Sequence, residues 1–370
     1  MSACDACLRR AWLVGRLSGH LDQVRGQRQH VREVLALSDA DLLAALAGAQ
    51  RQSIAQEHAA FRPRELRARV AAARQASVCA HDAEYPRGLR DLPDQPAALF
   101  VAGGDRAAAA LARIAEDPFA RPTVALVGAR RASADARRMA ESLGRELACA
   151  GVPVISGMAL GVDAWAHRGA LGAEGDTIAV LGSGADVVYP RTEAGLYDEL
   201  VARGVVLSEM PPGATARRWT FPARNRIIAA LATMTVVVEA AERSGSLITA
   251  TLAEDLGREL GAVPGRPGVT GTRGTNGLLR QGCAVIRDAQ DVLDQLFGAG
   301  AREAGRPGKD PARLTLELGA VFAAVAAGHD TIAALCEHPG QVRVVTGQLG
   351  ELEYLGYVRR AADGRYVTIP

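Results

Sequence analysis

The sequence predicts an α/β fold in which helices flank an extended, mainly parallel, Rossmann-like sheet. The first observation is a series of short apolar runs whose residues do not alternate with polar ones. Continuous apolarity is typical of strands that are covered on both faces, as in parallel sheets. The second observation is that a helix-length segment follows nearly every run, as parallel crossovers require. The predicted strands are residues 124–127, 152–155, 177–181, 205–207, 234–238 and 259–263.

Smaller regions flank this core. Residues 1–76 predict short helices and a small helical domain of the SAM-like or helix-hairpin-helix-like kind, followed by the Rossmann-like domain at residues 77–297. Residues 298–313 are rich in Gly, Pro and charge, which predicts a flexible linker. Residues 314–370 predict a winged-helix domain of three helices and a two-stranded wing that turns at Asp363 and Gly364.

Composition excludes some classes of protein. The chain has 370 residues and a net charge of only +2, so any nucleic-acid site must depend on local clusters of basic residues. The sequence contains no run of about 18 apolar residues and no signal-peptide pattern at its start. We therefore expect a cytoplasmic protein with no membrane contact.

Cysteine spacing gives little support for a metal site. Among the six cysteines only Cys4 and Cys7 are close in sequence, and no second ligand pair accompanies them at a typical zinc-site spacing. We therefore expect reduced, mostly buried thiols and no bound metal.

Small residues follow the predicted strands. Ligands of open α/β sheets bind outside the carboxyl ends of the strands, and small residues there allow phosphates to approach the backbone. The complete dinucleotide fingerprint and the P-loop are both absent, so we expect no nucleotide cofactor. The candidate binding residues at these ends are Gly128, Arg130, Ser156, Gly157, Ser244, Gly245 and Ser246.

An aromatic and basic segment precedes the fifth predicted strand. Residues 215–226 contain four arginines and no acidic residue, with Trp219 and Phe221 among them. Arginines that bind phosphates and rings that stack on bases are what a single-strand groove needs. The alternative is that the rings belong to the core and the arginines to a solvated face.

The acidic residues do not suggest catalysis. Asp163 and His167 are four residues apart near a predicted helix start, so their side chains can meet. They could form a general-base pair, but we expect an orienting hydrogen bond that fixes the loop and the helix start. Asp186, Glu209 and Glu239 could together form an acidic site, but we expect separate capping and pairing roles. No nucleophile is tied to these groups by spacing, so we expect a protein that is not an enzyme.

Several long motifs in order resemble the DNA-processing protein family called DprA or Smf, over about residues 85–296. They are TVALVGARRAS from Thr123, VISGMALGVDAWAHRGAL from Val154, TIAVLGSGADVVYP from Thr177, FPARNRIIAALATMTVVVEAAERSGSLITA from Phe221, and AVPGRPG with GTNGLLRQG. The resemblance implies a non-enzymatic homodimer that binds and protects single-stranded DNA. It also implies help in loading the RecA recombinase during natural transformation.

The resemblance also implies particular DNA contacts. Arg130 should bind phosphate, and Phe221, Arg224, Asn225 and Arg226 should line the pocket. Arg218 stands where the family often has a basic residue, and Ser244 to Ser246 should supply hydrogen-bond donors. Two positions depart from the family: Leu160 replaces a usual arginine, and Trp165 replaces a small residue.

Two other functions fit parts of the sequence. A Rossmann-like enzyme acting on nucleotides or nucleotide-derived sugars would share the phosphate-binding strand ends. A winged-helix repressor with a ligand-sensing core would instead use Arg343 and the wing to bind duplex DNA.

Overall fold

A mainly parallel sheet forms the centre of the fold. The structure is a computed structural model that describes residues 2–22, 30–103, 112, 121–304, 314–336, 338–361 and 364–368. Within these residues nine strands pair in one sheet. The strands are β1 (Ala76–Cys79), β2 (Ala98–Ala102), β3 (Val124–Val127), β4 (Val154–Ser156), β5 (Thr177–Val180), β6 (Val205–Ser208), β7 (Met234–Val237), β8 (Glu259–Ala262) and β9 (Ala284–Val285).

The direction in which successive strands are added to the sheet reverses at β3. The order is β1-β2-β6-β5-β4-β3-β7-β8-β9, so the chain builds outward from β3 on one side and then returns to add β7 on the other. All pairs from β6 across to β9 are parallel. Such a switch leaves a crevice at the carboxyl edge of the sheet, where ligands bind. The predicted parallel α/β fold is confirmed.

Three strands were not predicted from the sequence. β1 and β2 pair antiparallel, and β2 also runs antiparallel to β6. β2 is buried along its whole length but lies in a segment interrupted by Pro86, Pro93 and Pro96, which suggested an extended connector. The short strand β9 extends the opposite edge.

Helices cover both faces of the sheet because alternate strand residues point to opposite sides. In β3, Ala125 and Val127 pack on one face, while Val124 and Leu126 pack on the other. The first face is covered by α10 (Thr220–Leu231), α11 (Ser246–Asp255) and α12 (Arg273–Arg280); the second is covered by α7 (Ala134–Cys149), α8 (Val162–Gly172), α9 (Ala194–Arg203) and α13 (Ala289–Phe297).

The N-terminal helices belong to the same compact unit as the sheet, residues 1–304. Trp219 is buried among them, and its indole N–H donates a hydrogen bond to the Ser18 carbonyl at 2.9 Å. The boundary after residue 76 therefore stays a prediction. These helices are α1 (Asp5–Arg16), α2 (Ser18–Leu21), α3 (His30–Leu35), α4 (Asp39–Leu46), α5 (Arg51–Ala59) and α6 (Pro63–Ala72).

A second compact unit comprises residues 305–370. Its described part contains α14 (Leu316–Ala326), α15 (Ile332–Leu335), α16 (Val342–Tyr354) and a hairpin of β10 (Val358–Arg360) and β11 (Tyr366–Thr368). Phe322 and Tyr357 pack edge to face in its core at 5.8 Å between ring centroids. The winged-helix assignment stays a prediction. Most of the predicted linker, residues 305–313, and Asp363 of the predicted turn lie outside the described residues.

Within the described residues, no helix is both long and apolar enough to span a membrane.

Candidate nucleic-acid interface

A pocket opens at the carboxyl edge of the sheet, where β3, β4 and β5 end. The loops after these strands form most of its wall, and the first turn of α10 closes it from one face. This is the edge on which the strand-end residues were expected to meet. The lining residues are Arg130, Gly157, Ala159, Leu160, Leu181, Gly182, Ser183, Tyr189, Pro190, Phe221 and Arg224.

Aromatic and basic side chains meet at the mouth of the pocket. The Arg130 guanidinium carbon lies 4.9 Å from the centroid of the Phe221 ring, within the range of a cation–π contact. Tyr189 packs against Phe221 at 5.4 Å between centroids, with the rings tilted by 44°. Arg130 is exposed, Phe221 is half-buried and Tyr189 is 44% exposed. The mouth thus presents one exposed cation and an accessible aromatic ring.

Arg224 forms the floor of the pocket. Its side chain is buried, and its Nη1 donates a hydrogen bond to the Val180 carbonyl at 2.6 Å. The guanidinium packs directly on Gly157, where a Cβ atom would lie only 1.7 Å from Arg224 Nη1. Glycine is therefore required at position 157 because any side chain would displace the guanidinium.

The charge of Arg224 is incompletely compensated. Among the described residues no carboxylate pairs directly with it, and its buried Nε has no hydrogen-bond acceptor. Burial lowers the pKa of Arg224 to about 10, with Arg130 adding to this effect and Asp163 opposing it. Arg224 therefore remains charged at neutral pH. A buried cation without a paired carboxylate, next to an open pocket, is suited to binding an anion.

Asp163 supports the same loop from within the protein. Its carboxylate is buried and accepts a hydrogen bond from the Gly157 N–H at 3.2 Å. Burial raises the pKa of Asp163, while the nearby charge of Arg224 opposes that rise. Asp163 thus offsets part of the Arg224 charge and fixes the backbone against which Arg224 packs.

His167 and Asp163 hydrogen-bond to different partners and not to each other, so the predicted hydrogen bond between them is wrong. His167 Nδ1 lies 2.7 Å from Thr177 Oγ1, and that hydroxyl donates to the Val154 carbonyl at 3.0 Å. The hydroxyl is thus an acceptor for His167, which assigns the proton to Nδ1. Burial lowers the pKa of His167 to about 3. The imidazole is neutral and joins α8 to β5.

Arg226 is not part of the pocket, and its predicted role in DNA binding is wrong. The side chain is only 1% exposed and pairs with Glu209 at 2.6 Å and with Asp94 at 2.9 Å. Burial alone would lower the pKa of Arg226, but the two carboxylates hold it above its ordinary value. Its cation is already neutralised, so it has no charge to offer a phosphate.

Two of the strand-end residues also have internal roles. The Ser156 hydroxyl is buried and donates to the Leu126 carbonyl of the neighbouring strand at 2.6 Å, so the predicted DNA contact is wrong. Gly128 does not line the pocket. A Cβ atom there would lie 2.5 Å from Val162 Cγ2, so glycine allows β3 to pack closely against α8.

The remaining predicted residues lie outside the pocket lining. The Ser244 and Ser246 hydroxyls hydrogen-bond to each other at 2.8 Å at the start of α11. Asn225 Nδ2 lies 3.4 Å from the Gly245 carbonyl, so this loop sits beside α10. Arg218 is exposed just before α10. Their contact with nucleic acid stays a prediction.

Two pocket residues, Tyr189 and Pro190, were not predicted as binding residues from the sequence. Leu160 was considered only because it replaces an arginine that is usual in the family. Leu160 is 42% exposed at the pocket wall, where it contributes an apolar surface without charge. A signal for Tyr189 was present, since an aromatic residue follows the small-residue turn after β5 in the motif that ends in YP. An aromatic side chain in such a loop lies beside any ligand that binds at the carboxyl ends of the strands.

The other acidic residues are dispersed, as expected. Asp186 accepts from the Gly213 N–H at 2.9 Å, Glu239 accepts from the Ser133 N–H at 3.0 Å, and Glu209 pairs with Arg226. These separate partners leave no shared acidic site among the three.

Comparison with known proteins assigns the chain to a family. Residues 76–297 match the family model described as DNA recombination-mediator protein A. The chain belongs to the DNA recombination-mediator protein A family. It is 36% identical to protein Smf of Escherichia coli (strain K12) over 292 residues, which are 77% of this chain and 75% of that protein. Across its curated relatives the chain spans between about half and three quarters of their length, 52% and 75% in two of them.

Two solved structures of family members resemble the fold. The X-ray structure of DNA processing protein A (DprA) from Streptococcus pneumoniae has a TM-score of 0.61 and 29% identity, covering 80% of this chain and 99% of that chain. DNA processing protein A from Helicobacter pylori, whose structure was described for its single-stranded DNA binding mode, has a TM-score of 0.52 and 28% identity. That alignment covers 60% of this chain and 95% of that chain.

The buried ion cluster predicts a large loss of stability in Arg226→Ala. The substitution removes the cation that Asp94 and Glu209 share; Asp94 still pairs with Arg32 at 3.2 Å, but Glu209 loses its paired cation, which typically costs about 3–5 kcal/mol. Urea unfolding of this variant should show that loss, while Arg218→Ala, an exposed arginine of the same segment, should stay within about 0.5 kcal/mol of wild type. A loss below about 1 kcal/mol in Arg226→Ala would contradict the structural role.

The low pKa of His167 predicts acid-sensitive stability. An unfolded histidine takes up a proton below about pH 6.5, whereas the folded imidazole stays neutral until about pH 3. The unfolded state thus binds more protons in this window, and stability falls as the pH falls below 6.5, by up to about 1.4 kcal/mol per pH unit. Urea unfolding between pH 4.5 and 6.5 should show a shallower dependence in His167→Gln. Equal slopes in the two proteins would refute this assignment.

Proposed function

We propose that this protein binds single-stranded DNA with little sequence preference and without catalysing a reaction on it. The observation that carries the proposal is the buried Arg224, which holds a positive charge at the floor of an open pocket without a paired carboxylate. A DNA phosphate would supply the missing negative charge. The Helicobacter pylori relative, described for its single-stranded DNA binding mode, supports the same ligand class.

The second cation of the pocket suits a backbone contact. Arg130 is exposed and lies on the Phe221 ring, so it can turn toward a phosphate while its stem stays packed. The positive charge of Arg130 contributes to lowering the pKa of Arg224, so an anion bound between the two cations would relieve their repulsion. Two cations at one mouth favour a polyanion.

The rings of the pocket suit base stacking. Arg130 covers one side of Phe221, so the more exposed Tyr189 is the better platform for an unpaired base, with Phe221 supporting it. Stacking on an aromatic ring tolerates any base, since every base has a π face. Bases of a duplex are already stacked and paired, so this arrangement favours single strands.

An enzymatic role for the pocket has less support. Asp163 and His167 are buried and do not line the pocket; the Asp163 carboxylate accepts from the Gly157 N–H, and His167 Nδ1 hydrogen-bonds to Thr177 Oγ1. A general acid or base must reach the substrate within hydrogen-bond distance. Turnover of nucleoside monophosphates or nucleotide sugars by the purified protein would favour the enzyme alternative instead.

Family membership supports a wider role. We infer that the protein protects single-stranded DNA in the cytoplasm, self-associates as a homodimer and helps load the RecA recombinase during transformation or recombination. The second unit, residues 305–370, would then serve as a winged-helix accessory domain. Its α16 contains Glu351 and Glu353 beside a single arginine, Arg343, which disfavours duplex binding through that helix.

The stacking and phosphate roles predict separate losses in two variants. Tyr189→Ala should weaken oligothymidine binding about 5- to 150-fold, since one stacked base contributes roughly 1–3 kcal/mol. Arg130→Ala should reduce the slope of log affinity against log salt by about 0.7, the value for one phosphate contact on a single strand. Fluorescence anisotropy at several salt concentrations measures both.

A matched pair elsewhere in the chain provides the control. Arg302 lies 4.6 Å above the Phe297 ring, in the same kind of cation–π contact as Arg130 and Phe221 but away from the pocket. Arg302→Ala should leave both affinity and salt slope unchanged. If Arg302→Ala and Arg130→Ala reduced the slope equally, or neither did, the pocket assignment would be wrong.

Leu160 predicts a gain of binding. A cation at this half-exposed position of the pocket wall should add a phosphate contact, so Leu160→Arg should increase the salt slope by about 0.7 and raise affinity at low salt. Leu160→Ala separates this effect from loss of apolar contact and should leave the slope unchanged. An unaltered slope in Leu160→Arg would mean that the strand does not pass this wall.

A further inference from the structure

Four potential metal ligands from distant parts of the sequence meet beside the sheet edge. Cys4 is the N-cap residue of α1 and Cys7 lies in its first turn, while Cys79 is the last residue of β1 and His81 follows in the next turn. Their sulfur and ring nitrogen atoms all lie within 4.8 Å of one another. The sequence-based expectation that Cys4 and Cys7 have no second ligand pair is therefore wrong.

The distances fit tetrahedral coordination. His81 Nδ1 lies 3.5 Å from Cys4 Sγ, 3.5 Å from Cys7 Sγ and 3.7 Å from Cys79 Sγ. With zinc bonds of about 2.3 Å to sulfur and about 2.05 Å to nitrogen, the nitrogen–sulfur edge of a tetrahedron is about 3.6 Å. The imidazole nitrogen thus faces all three sulfurs at the separation that one shared ion would impose.

The surroundings hold these ligands in place. The Cys4 N–H points at Cys79 Sγ at 3.5 Å, and the Cys79 N–H donates to the Asp82 carboxylate at 2.7 Å. Cys7 and Cys79 are buried in the apolar cluster that joins α1, α6 and β2. Hydrogen bonds of this kind around the ligands are typical of structural metal sites.

We propose that Cys4, Cys7, Cys79 and His81 bind one structural Zn²⁺ ion. Three thiolates and one imidazole are a common structural zinc set, and four protein ligands leave no open position for catalysis. Zinc is favoured because this mixed sulfur and nitrogen set in a tetrahedron suits it and no redox chemistry is needed. The ion would join the start of α1 to the end of β1, fixing the N-terminal helices to the sheet.

The test is metal analysis of the full chain purified without an affinity tag that binds metal. Elemental analysis should find about one zinc per chain, and Cys7→Ala, Cys79→Ala and His81→Ala should each lose it. Cys149→Ala, which removes a cysteine outside the cluster, should keep it. His81→Cys should also keep zinc because a fourth thiolate completes the tetrahedron.

Cobalt substitution of the wild-type chain keeps the proposal testable if the alanine variants fail to fold. Co²⁺ in place of zinc should give the intense visible absorption of a tetrahedral thiolate site, which is lost on adding excess zinc. A strong chelator should lower the Tm of wild type and leave that of Cys79→Ala unchanged. Three results would each overturn the assignment. They are the absence of metal after purification together with no cobalt spectrum, a disulfide between two of these cysteines, and iron in place of zinc.

Discussion

The contact between the Arg224 guanidinium and the backbone of Gly157 organises the candidate interface. It requires glycine at the end of β4, a carbonyl of β5 to receive the Nη1 hydrogen bond, and Asp163 to hold the loop from behind. These groups come from different crossovers and meet only because parallel strands end at one edge. The result is a positive charge beneath an open pocket, where water solvates it poorly. Poor solvation of a charge costs free energy, and a bound phosphate would reduce that cost.

One helix supplies both a candidate binding cation and a structural one. Arg224 and Arg226 are two residues apart on α10, and about 100° of rotation per residue places them on opposite sides of the helix. Arg224 points to the pocket and lacks a paired carboxylate, whereas Arg226 points to the N-terminal helices and is bound by Glu209 and Asp94. The same contrast separates the two rings: Phe221 faces the pocket, and Trp219 is buried against Ser18.

Sequence patterns were sufficient for the parallel strands because continuous apolar runs report burial on both faces. The small residues at the strand ends also placed Arg130 and Gly157 at the right edge of the sheet, and the family resemblance placed Phe221 and Arg224 there. Sequence patterns failed where a side chain's partner lies far away in the sequence. Nothing near Arg226 indicates its ion pair with Asp94, and nothing near Ser156 indicates its hydrogen bond to the Leu126 carbonyl. The cluster of Cys4, Cys7, Cys79 and His81 was missed for the same reason, since it depends on β1, a strand whose sequence ASVC is not a continuous apolar run.

The central claim is that the buried charge of Arg224 contributes to DNA binding and not to the stability of the folded protein. The variant Arg224→Gln tests this claim most directly. Single-stranded oligothymidine affinity and urea unfolding should be measured on the same preparation. The account predicts a loss of affinity of at least about tenfold with a free energy of unfolding that stays within about 1 kcal/mol of wild type, because removing a poorly solvated buried charge offsets the loss of its attraction to Asp163. Unchanged affinity combined with a loss of several kcal/mol in stability would contradict it and make Arg224 a structural residue.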